Sequence, residues 1–426
     1  MFDKKSLTDG LGNISYSPES AVADIVDNCL DAKANNIDIN FWSGSEVHIA
    51  IIDDGHGMSH DELDDAIKMK KGMKSDDSLG KFGWGLKTAT FSQAKELTII
   101  TKKKGNPISF VSIDSDFNRI ETNLLKIFKR FKNLEKWFNK RVSSNGTAIV
   151  WSELKNDILG INLLKDNKRS HGVFYEVGKK VTEYTSMCFH NFLDKTNIYF
   201  NDILIQKMDP FKNVDGLKIY PEKKIEINNS KIIIGGVLFP KEDDMDNDDL
   251  FNELGLLEGW HASQGIYIYR ENRLIKWGDW CNLTKNGRDP WRREEKFKRC
   301  RVYLKYESEL DSEFRPNVQK TKSIIPHYLR HQIAEYCEEM RNESSKVVRK
   351  KQNNEAILNN KNTEISLIQI KEGNNIFINH AHPLIREFLE KNMGKTKKEY
   401  LLDKILSDIR KEKKENKGFI RKLFSE

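Results

Sequence analysis

The sequence predicts an α/β chain (α+β in its layering) of two sheet-containing domains followed by a helical, charged segment. Three observations carry that expectation. Up to about residue 155, helical patterns alternate with β-type runs at 47-VHIAIID-53, 97-LTIIT-101, 108-ISFVSID-114 and 147-TAIVW-151, as helices layered on a sheet require. From about 156 to 335, a helical stretch gives way to short strands at 197–205, 231–239, 266–275 and 300–306. Beyond 335, Leu401, Leu402, Ile405, Leu406 and Ile409 recur at helical spacing among lysines. The expected domains are therefore 1–155, 156–335 and 336–426, the last an interaction module or tail.

Composition narrows the class. The chain has 426 residues, 38% hydrophobic and 32% charged, enough for two or three cores of their own. No apolar run approaches the roughly 20 residues that span a bilayer, and MFDKKSLTDG lacks the apolar core of a signal peptide. A cytoplasmic protein with no membrane partner is expected. Five scattered cysteines without a C-x-x-C pair argue for free thiols rather than zinc or disulfides. The net charge of +7 admits an acidic partner without requiring one.

The first element is the helix of 22-VADIVDNCLDAKA-34. Val22, Ile25, Val26 and Leu30 form its apolar side, while Asp24, Asp27, Asn28 and Asp31 share the rest. By itself that is an ordinary solvated acidic face. The second is 51-IIDDGHGMSHDEL-63, a β-run ending in Asp53 with Gly55 and Gly57 after it. An Asp-Gly pair makes a turn. It also offers a fixed acceptor beside backbone that a flat ring can approach closely. The segment 117–143, rich in Lys, Phe and Asn, reads as an excursion between strands. The third is 80-GKFGWGLKTATFSQ-93, a G-x-x-G-x-G loop running into a helix. Glycine-rich backbone at a helix N-terminus suits phosphate. It is neither a Walker A loop nor a Rossmann fingerprint. In the second block, acidic 241–249 reads as an exposed loop and 326–350 as a helix leading into a polar stretch at 350–363. Helices are expected at 383–393 and 396–413.

Taken in order, D-x-x-D-N-x-x-D-A, then D-x-G-x-G-M, then G-x-x-G-x-G-L-K-T, then a strand opened by Gly146-Thr147 resembles the GHKL ATPases. The wording of 15-SYSPESAVADIVDN-28 and 79-LGKFGWGLKTATFSQAKELTIITK-102 is most similar to MORC-like ATPases and their bacterial relatives. The runs 197-NIYFNDILIQKMDPF-211 and 263-SQGIYIYRENRLIKWGDW-280 resemble the transducer domain that follows. The likeness covers roughly residues 5–335. It implies a Bergerat-type ATPase sandwich, a mixed sheet covered by helices on one face, then an S5-like α/β transducer domain.

The resemblance also implies roles. Asn28 would hold Mg²⁺ through its amide oxygen. Asp24 stands where the family usually carries a Glu that orients or deprotonates the attacking water. Asp53 would accept from the adenine amino group, supported by Thr147, with Gly55, Gly57 and Met58 shaping the floor. Gly80, Gly83, Gly85, Leu86 and Lys87 would wrap the phosphates as part of a lid over 66–86. Lys320, and after it Lys322, would reach the γ-phosphate from the transducer. Asp27 and Asp31 are left to packing, capping or support of their neighbours. Aspartate at 24 is one methylene short, so slow hydrolysis is expected.

The function implied is a Mg²⁺-dependent ATPase that forms a homodimer on binding ATP and acts on duplex DNA within a bacterial restriction or anti-phage defence system, with possible protein partners there. The alternative is chaperone-like remodelling of a protein partner.

Overall fold

The computed structural model describes residues 16–43, 46–67, 85–155, 167–227, 230–245, 248–284, 289–317, 320–321, 323–360, 368–371 and 375–378. Two compact units are present, residues 1–345 and 346–426.

In the first unit, helix α1 (Pro18–Asp31) opens on a Ser17 cap with Pro18 in its first turn, where proline's missing N–H costs nothing. There follow β1 (Asn36–Trp42), β2 (His48–Asp53), α2 (His60–Ile67), α3 (Gly85–Gln93), β3 (Ala94–Lys102), β4 (Ser109–Asp114) and β5 (Arg119–Glu121). Then come α4 (Leu124–Arg130), α5 (Leu134–Arg141), β6 (Gly146–Leu154), α6 (Asn167–Cys188), β7 (Asn197–Phe200) and β8 (Ile203–Leu204). The strands make one eight-stranded mixed sheet in the order β5-β4-β3-β6-β2-β1-β7-β8. Only the β1–β7 pairing is parallel. Residues 197–204 thus complete the first sheet, from beyond the boundary expected near 155.

Side-chain alternation divides the core in two. Ile37, Ile39, Ile49, Ile51, Leu97, Ile99, Ile149 and Trp151 face α1, α3 and α6. Ala50, Ile52, Ile100, Ala148 and Val150 face the opposite way, under α4 and α5. The excursion at 117–143 therefore consists of a short strand and two helices that cover the sheet's second face. Strand β1 escaped the sequence reading because Asn36, Asp38 and Asn40 are poor strand formers. Asp38 is nevertheless buried there, gripped by Arg141 of α5 at 2.5 and 2.7 Å.

A second sheet follows, from β9 (Lys218–Ile227), β10 (Ser230–Leu238), β11 (Gly265–Arg270), β12 (Arg273–Asp279) and β13 (Cys300–Tyr306), in the order β12-β11-β13-β10-β9. Helix α7 (Asp248–Leu254) lies between β10 and β11. The acidic 241–249 stretch holds a short 3-10 turn at Glu242–Asp244. Strand β9 is an edge written in Lys and Glu, which discourages further pairing and hides the strand pattern. Helix α8 (Arg330–Asn360) continues ten residues past the helix end expected near 350. Its Arg341 packs over Trp280, Trp291 and Phe297, at 4.4, 4.0 and 3.8 Å from their ring centres. Trp280 belongs to the second sheet's core, and Trp291 packs against it.

In the second unit, β14 (Ile368–Lys371) and β15 (Asn375–Ile378) form an antiparallel hairpin. The helices expected at 383–393 and 396–413 lie outside the described residues. All five cysteines are free and buried. Among the described residues no helix is long and apolar enough to cross a membrane.

Candidate functional site

The acidic side of α1 is not solvated. Asp24 is 3% exposed and Asp27 fully buried, because α1 is enclosed by α3, α6 and the sheet. Buried carboxylates need partners, since desolvation of an unpaired charge costs several kcal/mol or more.

Asp24 accepts a 2.8 Å hydrogen bond from the Tyr16 hydroxyl through Oδ2. Tyr16 is held in turn by Gln93, whose Nε2 donates to its carbonyl at 3.1 Å. Burial pushes the Asp24 carboxyl above its ordinary pKa, with Lys320 and Arg273 pulling it back. Its Oδ1 has no hydrogen-bond donor among the described residues; Lys320 Nζ stands 3.9 Å away. Gly85, at the first turn of α3, lies beside it: a Cβ there would come 3.9 Å from Asp24 Oδ2. A buried carboxylate oxygen with spare acceptor capacity, next to the end of a glycine loop, fits a site for water and phosphate.

Asp27, one turn along, meets two cations from the region of the second sheet. Arg273 Nε lies 3.0 Å from its Oδ1, placed for charge attraction although its N–H points elsewhere. Lys320 Nζ donates to Oδ2. Arg273 also donates to the Lys320 carbonyl at 3.3 Å and lies over the Phe189 ring. The four groups form one buried cluster joining α1, the start of β12 and the 320 loop. Lys320 itself has φ 48°, the left-handed region that a side chain adopts at some cost. Both Asp27, which the sequence left to packing or support, and Arg273, which it did not single out, are thereby placed at the centre of the contact between α1 and the second sheet. The signal available for Arg273 was its arginine inside an otherwise apolar strand start.

At the other end of the site, β2 delivers Asp53. Its carboxylate is 3% exposed and accepts from the Gly55 N–H at 2.8 Å. Burial raises its pKa to about 6, the Gly55 N–H and the Cys29 thiol opposing the rise. Gly55 can carry no side chain, because a Cβ would sit 2.7 Å from that of Ala32 and 2.8 Å from Asp53 Oδ1. Gly57 has φ 67°, and a Cβ would strike the Lys102 carbonyl at 1.9 Å. Met58 is pinned by its N–H, which donates to Thr101 Oγ1 at 2.9 Å. Thr101 exchanges a 3.0 Å hydrogen bond with Thr147, and Thr147 stands opposite Asp53 in the β2–β6 register. Asn145 closes the turn by donating to the Asp54 and Gly55 carbonyls at 3.1 and 2.6 Å. A fixed carboxylate above glycine backbone suits a flat ring bearing an amino group.

Between these ends lies Asn28, half-buried and one turn beyond Asp24 on α1. Leu86 packs on the core at the start of α3, and the neighbouring Lys87 is buried, which lowers its pKa. Asp24, Asn28, Asp53, Gly55, Gly57, Met58, Gly85, Leu86, Lys87, Thr147 and Lys320 are all described. Gly80, Gly83, Lys322 and most of the 66–86 segment lie outside the described residues. The sequence missed Tyr16, Cys29, Thr101, Asn145 and Arg273. Of these, Thr101, at the end of a β-run, and Arg273, at a strand start, carried a position-specific hint.

Known proteins share part of this sequence. Residues 16–170 match the family model described as histidine kinase-, DNA gyrase B-, and HSP90-like ATPase. The chain is similar to ATPase morc-1 of Caenorhabditis elegans, 38% identical over 89 residues, which is 21% of this chain and 10% of that protein. It is 32% identical over 99 residues to the DNA mismatch repair protein MutL of Halobacterium salinarum, 22% of this chain and 15% of the relative. With MutL of Dictyoglomus turgidum the likeness is 22% identity over 241 residues, 51% of this chain and 40% of the relative. The matches thus span between a tenth and two fifths of those proteins' lengths.

Proposed function

We propose, from the match of residues 16–170 to the histidine kinase-, DNA gyrase B-, and HSP90-like ATPase family model, a nucleotide-switched GHKL ATPase that acts on DNA. The observation that carries the switch is the buried cluster in which Lys320 and Arg273 meet Asp24 and Asp27 of α1.

In this reading Asp53 accepts from the adenine amino group, Thr147 supports it, and Gly55, Gly57 and Met58 form the ring's floor. Gly80, Gly83, Gly85, Leu86 and Lys87 wrap the phosphates. Asn28 would hold Mg²⁺ through its amide oxygen, where the ion would supply positive charge against the phosphates. Asp24 orients and deprotonates the attacking water, slowly for want of a methylene.

Lys320 leaves the α1 carboxylates for the γ-phosphate, with Lys322 as its substitute, while Arg273 stays on Asp27. ATP then favours whichever arrangement of the two sheets suits that displaced lysine. Residues 1–155 with strands 197–204 hold nucleotide, 156–335 act as the S5-like transducer, and 336–426 meet partners. The closed form is a homodimer on duplex DNA in the cytoplasm of a bacterium, serving restriction or anti-phage defence.

The test follows self-association by light scattering and duplex binding by gel shift, with Mg²⁺ and a non-hydrolysable ATP analogue. Nucleotide-dependent dimers that retain DNA, lost in Asp53→Asn, are expected. Dimers that ignore DNA would replace it with a protein partner, the chaperone-like alternative. No response to nucleotide would overturn the switch.

A further inference from the structure

A strongly basic run outside the nucleotide site lies on α4 and α5. Residues 124–141 carry seven basic side chains against one acid, Glu135. Residues 341–426 carry twenty against twelve, a far more dilute excess. The cations on the helix pair divide by task. Arg130 reaches Glu96 at 2.8 Å and Arg141 grips Asp38, so the arginines fasten the helices to the sheet. Ile127, Phe131, Leu134 and Phe138 are buried beneath them. The lysines do none of this. Lys126, Lys129, Lys132 and Lys136 are exposed, and none of the four is in an ion pair among the described residues. Lys132 lies 5.4 Å from the Trp42 ring, and Lys140 pairs with exposed Asp202 at 2.5 Å.

We propose that the α4–α5 pair is a docking surface for the phosphate backbone of duplex DNA, an inference that rests on the DNA reading above. Duplex DNA carries one charge per roughly 1.7 Å of its axis, a target for any row of cations. Lys126 and Lys129 are three residues apart on one helix, hence neighbours at about 5–6 Å. Long flexible stems bearing point charges suit contacts that ignore sequence. A specific protein interface would instead show aromatics and Arg, with Lys depleted from its centre. The surface lies on the sheet face opposite α1, so it is separable from nucleotide binding.

The experiment uses the full chain and a short labelled duplex, with affinity measured across a range of salt. One variant carries Lys126→Gln, Lys129→Gln, Lys132→Gln and Lys136→Gln. Its equal-charge control carries Lys411→Gln, Lys413→Gln, Lys414→Gln and Lys417→Gln. Four lost phosphate contacts make the slope of log K against log salt shallower by about 3.6. The control should keep the wild-type slope, and both variants the wild-type ATP affinity. A wild-type slope in the first variant overturns the surface while leaving the DNA reading intact, and a slope lost only in the control moves the contact to the late segment. Wild type that binds no duplex even at low salt removes the DNA reading and the surface with it. Polyglutamate competing as well as duplex would make this a general acidic-protein surface and equally overturn the proposal.

Discussion

At the Asp53 end of the site, the polar contacts come from the first sheet, its turns and the helix packed on it: Gly55 two residues away, Cys29 on α1, and Thr101 and Thr147 on adjacent strands. At the Asp24–Asp27 end, the balancing charge arrives from far along the chain, Lys320 lying 293 residues beyond Asp27. The first end is complete within one domain and therefore suited to holding a ligand. The second is electrically complete only when the two sheets are docked, which makes it suited to reporting whether they are. One fourteen-residue helix serves both, and this is why its polar side is buried rather than solvated.

The sharpest way to break this contrast is to remove Arg273. Breaking a buried ion pair costs about 3–5 kcal/mol because the stranded charge keeps its desolvation penalty. Arg273→Met should lower stability by at most about that much in denaturant titration, since Lys320 stays on Asp27. Adding Asp27→Leu should not restore the loss, because it strands the buried Lys320 ammonium, whose nearest remaining carboxylate among the described residues is Asp24 at 3.9 Å; the same arginine change at an exposed pair would cost little.

Next in size is catalysis. Asp24→Asn should slow turnover by roughly a hundredfold in a phosphate-release assay, with nucleotide affinity little changed. Unchanged turnover would send the search for the base to another carboxylate. At the opposite end, Asp53→Asn should weaken ATP and ADP alike by about 2 kcal/mol, roughly thirtyfold in Kd, by calorimetry.

The smallest effect is on pH. With its carboxyl near 6, Asp53 is ionised at pH 7 and mostly protonated at pH 5. The ionised form is the better acceptor, so ATP and ADP affinity should fall together, by roughly tenfold between pH 7 and 5. In Asp53→Asn that slope should flatten, since no titrating acceptor remains.

How much of this was legible in the sequence follows the same divide. Asp53, Gly55, Gly57 and Thr147 could be read because strand-end carboxylates and glycine turns are local patterns. The first sheet was visible in its Val- and Ile-rich runs, but β1 and β9 were not, since Asp38 is explained only by Arg141 and β9 is charged by virtue of being an edge. Asp27 looked like any surface aspartate. Its partners, Arg273 and Lys320, are brought to it by folding, and nothing in the spacing of three residues so far apart encodes the contact. Lys320 was singled out by resemblance, and the α4–α5 helices showed only as an irregular basic stretch until the sheet's second face was seen beneath them.

The most direct measurement compares ATP with ADP binding in wild type and Lys320→Met, by calorimetry on the full chain. If Lys320 moves from the α1 carboxylates to the γ-phosphate, wild type prefers ATP, and the variant loses that preference while its ADP affinity stays the same. An undiminished preference for ATP in Lys320→Met would show that the buried cluster is a fixed interdomain bond and carries no signal.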